Sequence, residues 1–328
     1  MKKVLLATTV LALTAPLAAA DGVELSGFGR FGLDYNSDAP AGTPDSQVNM
    51  RMRVNIDASK TTDAGVTFGG RIRMQYDDGL TGAQLSPAML YATYEGLRVE
   101  VGNSNTAIDS AALMYNSEIG YLNRSFGNPI GGFYAFSTSP YSADVTTFTV
   151  DPITDEVVAT TAQGERNRMG IFASYSIAGF NLKASYINPN QTDSTTDAEM
   201  SIAADYNFGQ FTISAAYADN AGGVDGDTVT YLGAQYALSD IANVGLLYFN
   251  SDPEGEADQE RVTLYGNYKM DALTLRGYVA HDDAVGNVTD TAFGIGADYD
   301  LGGARLGADI HRNYAESTIV GLGVRFDF

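Results

Sequence analysis

The 328-residue chain carries 40 acidic and 19 basic side chains, a formal net charge of −21, and contains no cysteine. The acidic excess excludes a nucleic-acid partner, whose phosphates need a basic surface, and the lack of cysteine excludes a disulfide framework, a thiolate nucleophile and a zinc–thiolate site. Twenty tyrosines, 15 phenylalanines and 36 glycines with only 18% charged residues favour strands and turns over helices.

Lys2 and Lys3 precede an apolar run from Val4 to Leu13, followed by Pro16 and the small-residue stretch Ala18-Ala19-Ala20. A charged start, a short apolar stretch and an A-x-A cleavage pattern mark residues 1–20 as a secretory signal peptide. The run is well short of the roughly 20 residues a membrane-spanning helix needs. Removing it leaves a single domain, 21–328, with 17 basic and 40 acidic residues and a net charge of −23.

The mature start contains LSGFGRFG, Leu25 to Gly32, with glycines in the G-x-G-x-x-G spacing of a dinucleotide pyrophosphate turn. That turn needs a helix opening on the glycines, whereas here the alternation runs on to Tyr35. Gly27 and Gly29 fall outward with Leu25, Phe31 and Leu33, while Phe28, Arg30 and Gly32 fall inward. The stretch is therefore a glycine-rich strand.

Gln47 to Lys60 alternates without a break: Val48, Met50, Met52, Val54, Ile56 and Ala58 on one face, and only polar residues, Arg51 and Arg53 among them, on the other. This period of two over a membrane-crossing length places very different environments on its two sides. The pattern recurs at 65–76, 87–95, 97–103, 167–177, 180–187, 199–208, 211–218, 228–238, 241–250, 260–270, 273–281, 290–300, 304–311 and 317–328, which with 23–35 and 47–60 predicts sixteen strands. Links such as Glu95-Gly96, Ala178-Gly179, Gly209-Gln210 and Gly302-Gly303 are very short and alternate with longer polar segments such as Asp252 to Gln259. Short turns at one end, long loops at the other and an even strand count predict an all-β fold, a transmembrane antiparallel β-barrel of the outer membrane. A soluble sandwich would alternate too, but its inner face would be rich in Leu, Ile and Phe. Here the apolar face carries Ala and Gly, with Tyr35, Tyr76, Tyr94, Tyr175, Tyr206, Tyr236, Tyr248, Tyr268 and Tyr299 near strand ends, where interfacial girdles lie.

The segment from about 104 to 165 is too long for an incidental connection. Residues 109–120, DSAALMYNSEIG, read as a short helical turn with Asp109 as its cap. Residues 144–161 hold two strand-like runs around a proline-containing turn. Their flanks are short for a membrane crossing, which favours an external hairpin over two further barrel strands that would make eighteen.

The start DGVELSGFGRFGLDYN, the VGNSN before the long excursion, ADYNFGQFTISAAYAD, GADYDLGGARLGADI and the terminal GLGVRFDF occur in an order that resembles the general diffusion porins of Gram-negative bacteria, most closely those of the Rhodobacter type. That resemblance spans the mature chain. It implies a sixteen-stranded homotrimer, a water-filled pore in each subunit, a long third loop folded inward, and a terminal aromatic, here Phe328, read by the barrel-assembly machinery.

Sixteen strands enclose more space than side chains fill, so the lumen is expected to hold water. Inward parity converges Arg30, Arg51, Arg53, Arg71 and Arg73 from three adjacent strands into one basic wall at one level. If 104–165 is the inward loop, Asp109 and Glu118 face that wall across the narrowest point, and charged walls of this kind set pore selectivity. The expected function is passive diffusion of small hydrophilic solutes and ions. A substrate-specific channel would need an aromatic track, which Phe28, Tyr231, Tyr265 and Tyr278 do not obviously form. A plugged adhesin barrel fits poorly with the many inward Gly and Ala.

No cofactor is required by this reading. The acidic loops, such as Asp77-Asp78, Asp225 to Asp227, Asp252 to Glu260 and Asp282-Asp283, are candidates for calcium and for bridging to lipopolysaccharide, but none carries an EF-hand ligand series, so the metal ligands stay unassigned. The only histidines, His281 and His311, show no serine or aspartate constellation beside them, which argues against an enzyme.

Overall fold

The computed structural model describes residues 21–328 apart from 143–144, 151–156, 163 and 166, so the expected signal peptide at 1–20 lies outside the described residues. Nineteen strands occur in chain order: β1 (Gly22–Asn36), β2 (Ser46–Thr61), β3 (Thr67–Asp77), β4 (Gln84–Leu85), β5 (Met89–Tyr94), β6 (Leu97–Gly102), β7 (Val145–Val150), β8 (Val157–Ala162), β9 (Met169–Ile177), β10 (Phe180–Asn188), β11 (Glu199–Phe208), β12 (Phe211–Asp219), β13 (Thr228–Ser239), β14 (Ala242–Asp252), β15 (Gln259–Met270), β16 (Leu273–Asp282), β17 (Thr291–Asp300), β18 (Arg305–Arg312) and β19 (Thr318–Asp327). All sixteen predicted strands are present with ends within two residues of expectation. Polarity alternates because each strand separates lumen from lipid, and that contrast fixes its register.

Every neighbouring pair is antiparallel, and β19 returns to pair with β1, so the sheet closes with no free edge. The short β4 adds an extra strand; like β5 it pairs with β3, so the two are pieces of one crossing. β7 and β8 pair only with each other, which matches the hairpin reading of 144–161, although its turn lies outside the described residues.

The outward faces are apolar and exposed, as a lipid-facing surface requires. At the short-turn end a row of stacked rings forms the expected aromatic belt: Phe180 on Tyr206 (3.9 Å between centroids), Tyr206 on Phe208 (5.1 Å) and Phe208 on Phe211 (5.4 Å). The seam explains the opening glycines. A Cβ at Gly29 would lie 2.4 Å from the Phe326 ring, so only glycine lets that aromatic lie across β1. Phe328 closes the barrel by pairing its amide with the Gly27 carbonyl at 3.0 Å and accepting the Gly27 N–H at 2.7 Å.

Candidate functional site

The core is not in the sheet but between the sheet and the loop that follows β6. Residues 103–142 run along the inner wall as a chain of turns, burying Ala107, Ile108, Leu113, Met114, Ile119 and Tyr121. Apart from a single bridge between Ile119 and Arg124 and local turn bonds, regular backbone pairing is absent there, so wall side chains satisfy many of the loop's polar groups. Ser185 Oγ accepts the Ala107 N–H (2.9 Å) and Ser201 Oγ that of Ile108 (3.2 Å). Asp205 accepts the Ala112 N–H (2.9 Å) and the Ser214 hydroxyl (2.6 Å), and is paired with buried Lys183 (2.5 Å), which also donates to the Ser110 carbonyl. Further round, Tyr231 donates to the Ala112 carbonyl (2.7 Å), Thr263 to that of Gly127 (3.0 Å), and Arg261 to that of Asn128 (2.8 Å). Before Gly127 the loop reaches β1, where Arg124 holds Asp34 through two bonds of 2.9 and 2.7 Å, and then turns back.

Three expectations change. Many inward glycines and alanines do not line open lumen; they make room for the loop. A Cβ at Gly323 would fall 2.5 Å, and one at Gly32 2.7 Å, from the ring of Tyr121. Tyr231 and Tyr278 are likewise covered: Tyr231 holds the loop as described, and Tyr278 accepts the Phe126 N–H (3.0 Å). His311 does have acidic and hydroxyl neighbours, Asp309 Oδ2 and Tyr278 Oη, each at 2.9 Å, which the registers of β16 with β17 and of β17 with β18 bring together, Tyr278 and His311 both opposite Gly294.

Asp109 is not a cap, and 109–120 is not helical. The Thr106 hydroxyl accepts the Asp109 N–H (3.2 Å), while the Asp109 carboxylate accepts the Tyr115 hydroxyl (2.7 Å). Threonine reaches the amide three residues on as aspartate was expected to. Burial raises the Asp109 carboxyl above its ordinary range, opposed by the Tyr115 hydroxyl and by the charge of Arg73. Glu118 accepts from Asn128 (3.1 Å). Burial pushes its carboxyl up to about 7, opposed by that bond and by the charges of Arg30, Arg325 and Arg305.

The five predicted arginines are inward and clustered but do not share one ladder row. Arg51 lies opposite Arg30 and Asp77; Arg73 and Arg71 sit four and six residues along β3 from Asp77. Two are neutralised: Arg71 grips Asp57 through bonds of 2.8 and 3.1 Å, and Arg51 is paired with Asp77. Among the described residues, Arg30, Arg53 and Arg73 have no ion-pair partner: Arg30 donates to the Leu122 carbonyl (2.8 Å), Arg53 to Gln75 (2.5 Å), and Arg73 to Asn55 (2.9 Å) and Thr138 (3.2 Å). Barrel closure adds residues the parity argument did not collect. Arg325 is opposite both Arg30 and Arg305, so Arg51, Arg30, Arg325 and Arg305 form one row across four strands. Phe28 lies between Arg325 and Arg53, whose guanidinium carbons are 3.9 and 5.1 Å from its ring centroid, and this spaces like charges by cation–π contact.

The closed sixteen-strand barrel matches solved porin structures. The family model of Gram-negative porins matches residues 7–318. The chain belongs to the Gram-negative porin family. A porin of Fuscovulum blasticum is 40% identical over 311 residues, covering 93% of this chain and all of that protein; a porin of Rhodobacter capsulatus is 26% identical over 335 residues with the same coverage. Two solved variants of the Rh. blastica porin, one with a lysine and an arginine replaced by alanine and one with an aspartate and a glutamate so replaced, superpose with TM-scores of 0.82 and 0.81 at 38% identity, each covering 93% of this chain and all of theirs. This porin is accordingly a channel protein of the outer membrane, with its short turns at the periplasmic end.

Proposed function

We propose that this porin passes small hydrophilic solutes and ions by passive diffusion through a lumen narrowed between the inward loop and the arginines, with Arg30, Arg53 and Arg73 as the side chains that bias its ion selectivity. The observation that carries this reading is that these three cations have no acidic partner among the described residues, while the two acidic groups of the loop, Asp109 and Glu118, are held towards their neutral forms by burial. Solved variants of the Rh. blastica porin include one with a lysine and an arginine replaced by alanine and one with an aspartate and a glutamate so replaced.

The chain acts as a channel and not as an enzyme. His311 is sealed under the loop, and its neighbours provide no nucleophile open to a solute. Tyr231, Tyr265 and Tyr278 are buried and do not form an open aromatic track, which favours general diffusion over a substrate-specific channel. Homotrimerisation fits the outward faces of β2 and β3, where exposed Met50, Met52 and Met74 supply adaptable apolar contacts. We assign lipopolysaccharide contact to the acidic long loops and the assembly signal to the exposed Phe328; calcium is given no ligands, because among the described residues no group of three or more His, Asp or Glu is gathered to hold a metal ion.

Planar-bilayer recording tests the reading. Large conductance steps in multiples of three, with no saturation by sugars, are expected; saturation by a single sugar at low concentration overturns general diffusion.

A further inference from the structure

A cavity of about 380 Å³ lies at the short-turn end, lined by Lys269, Thr274, Arg276, Asp298, Arg305 and Arg325 among others. It continues the arginine row towards the periplasmic mouth and adjoins the loop, since Arg305 donates to Asn123. Its polar groups are incompletely satisfied. Asp298 lies between Arg276 Nε (3.2 Å) and Arg305 Nη1 (3.6 Å), close enough for ion pairing but without hydrogen-bond geometry. Among the described residues eight buried side-chain polar atoms have no hydrogen-bond partner, and four of them are here: Arg276 Nε, Arg305 Nε and both carboxylate oxygens of Asp298. Buried groups left unmatched are unusual, and such a concentration calls for an explanation.

The orphans are of two kinds. The guanidinium N–H groups only donate, and the carboxylate only accepts. A ligand that satisfies both must present acceptors and a donor at once. Charge narrows the ligand to an anion: the cations Lys269, Arg276, Arg305 and Arg325 outnumber the carboxylates Asp298, Asp300 and Asp327, and Lys269 has no ion-pair partner among the described residues, so the cavity is left net positive.

We propose that this cavity binds a hydrogen-phosphate ion, its oxygens accepting from Arg276, Arg305 and Lys269 and its P–OH donating to Asp298. Asp298 is the specificity element, because a fully deprotonated oxyanion such as sulfate has no proton to offer and meets an uncompensated carboxylate. The site rests on the channel reading, for a solute reaches it through the lumen.

The test is chloride current through single reconstituted channels, with inorganic phosphate or sulfate added to either side at matched ionic strength. Phosphate lowers the conductance saturably, and sulfate does so at least about tenfold more weakly, the scale of one hydrogen bond to a charged group. D298N removes the preference for phosphate, and K269A raises the half-saturating phosphate concentration about tenfold. Equal effects of the two anions, a preference that survives D298N, or phosphate sensitivity untouched by K269A each overturn the proposal. A wild-type protein with no stepwise chloride conductance would instead overturn the channel reading.

Discussion

Tyr121 fixes where the inward loop meets the barrel seam. Its ring occupies the slot left by Gly32 and Gly323, and the neighbouring Leu122 carbonyl takes the Arg30 guanidinium. G323V places a branched side chain in that slot, and overpacking of this kind costs about 1–3 kcal/mol. We expect a lower midpoint for thermal unfolding in detergent and noisier open-channel current, since the loop end must move. Glu118 contributes through its charge. With its carboxyl at about 7, it is largely ionised at alkaline pH and protonated at acid pH, whereas an unburied glutamate stays ionised across that span. Lowering the pH through 7 removes a negative charge facing Arg30, Arg305 and Arg325, so selectivity shifts towards anions. Reversal potentials measured on both sides of pH 7 check this, and E118Q should lose most of the shift.

At the scale of elements, the strands were legible and the loop path was not. Strands such as β2 announce themselves because water and lipid act on alternate residues, and an error of one position would invert both faces. The loop has no period, because its contacts are made with side chains from many strands, of which Ser185, Asp205, Thr263 and Tyr278 are examples. Inward glycine and alanine were visible in the sequence, but whether they border water or a covering segment depends on that path. Arg305 and Arg325 were missed for a related reason: each is inward by parity, but their place beside Arg30 follows only from ring closure. The buried Lys183–Asp205 pair anchors the loop at Ser110 and Ala112. K183A strands a buried carboxylate and should cost about 3–5 kcal/mol, read from denaturant unfolding; replacing both partners by apolar residues should not recover the loss, because the Ala112 N–H and the Ser110 carbonyl are then left unpaired. The hairpin of β7 and β8 lies outside the barrel sheet. Its deletion should leave a heat-resistant barrel with wild-type conductance.

For the whole molecule, closure does two things at once. It removes the edge strands that lipid cannot tolerate, and it carries the basic residues of the last strands round to meet those of the first. A chain with a net charge of −21 thereby concentrates arginine along one side of its lumen. The central claim is that the arginines without acidic partners control which ions pass. The most direct test is the reversal potential of single channels in a potassium chloride gradient, compared between wild type and the R30Q/R53Q/R73Q variant. The account predicts a clear shift towards cation selectivity with open-channel conductance kept within about twofold, because charge changes more than width. An unchanged reversal potential in a correctly folded variant would contradict it.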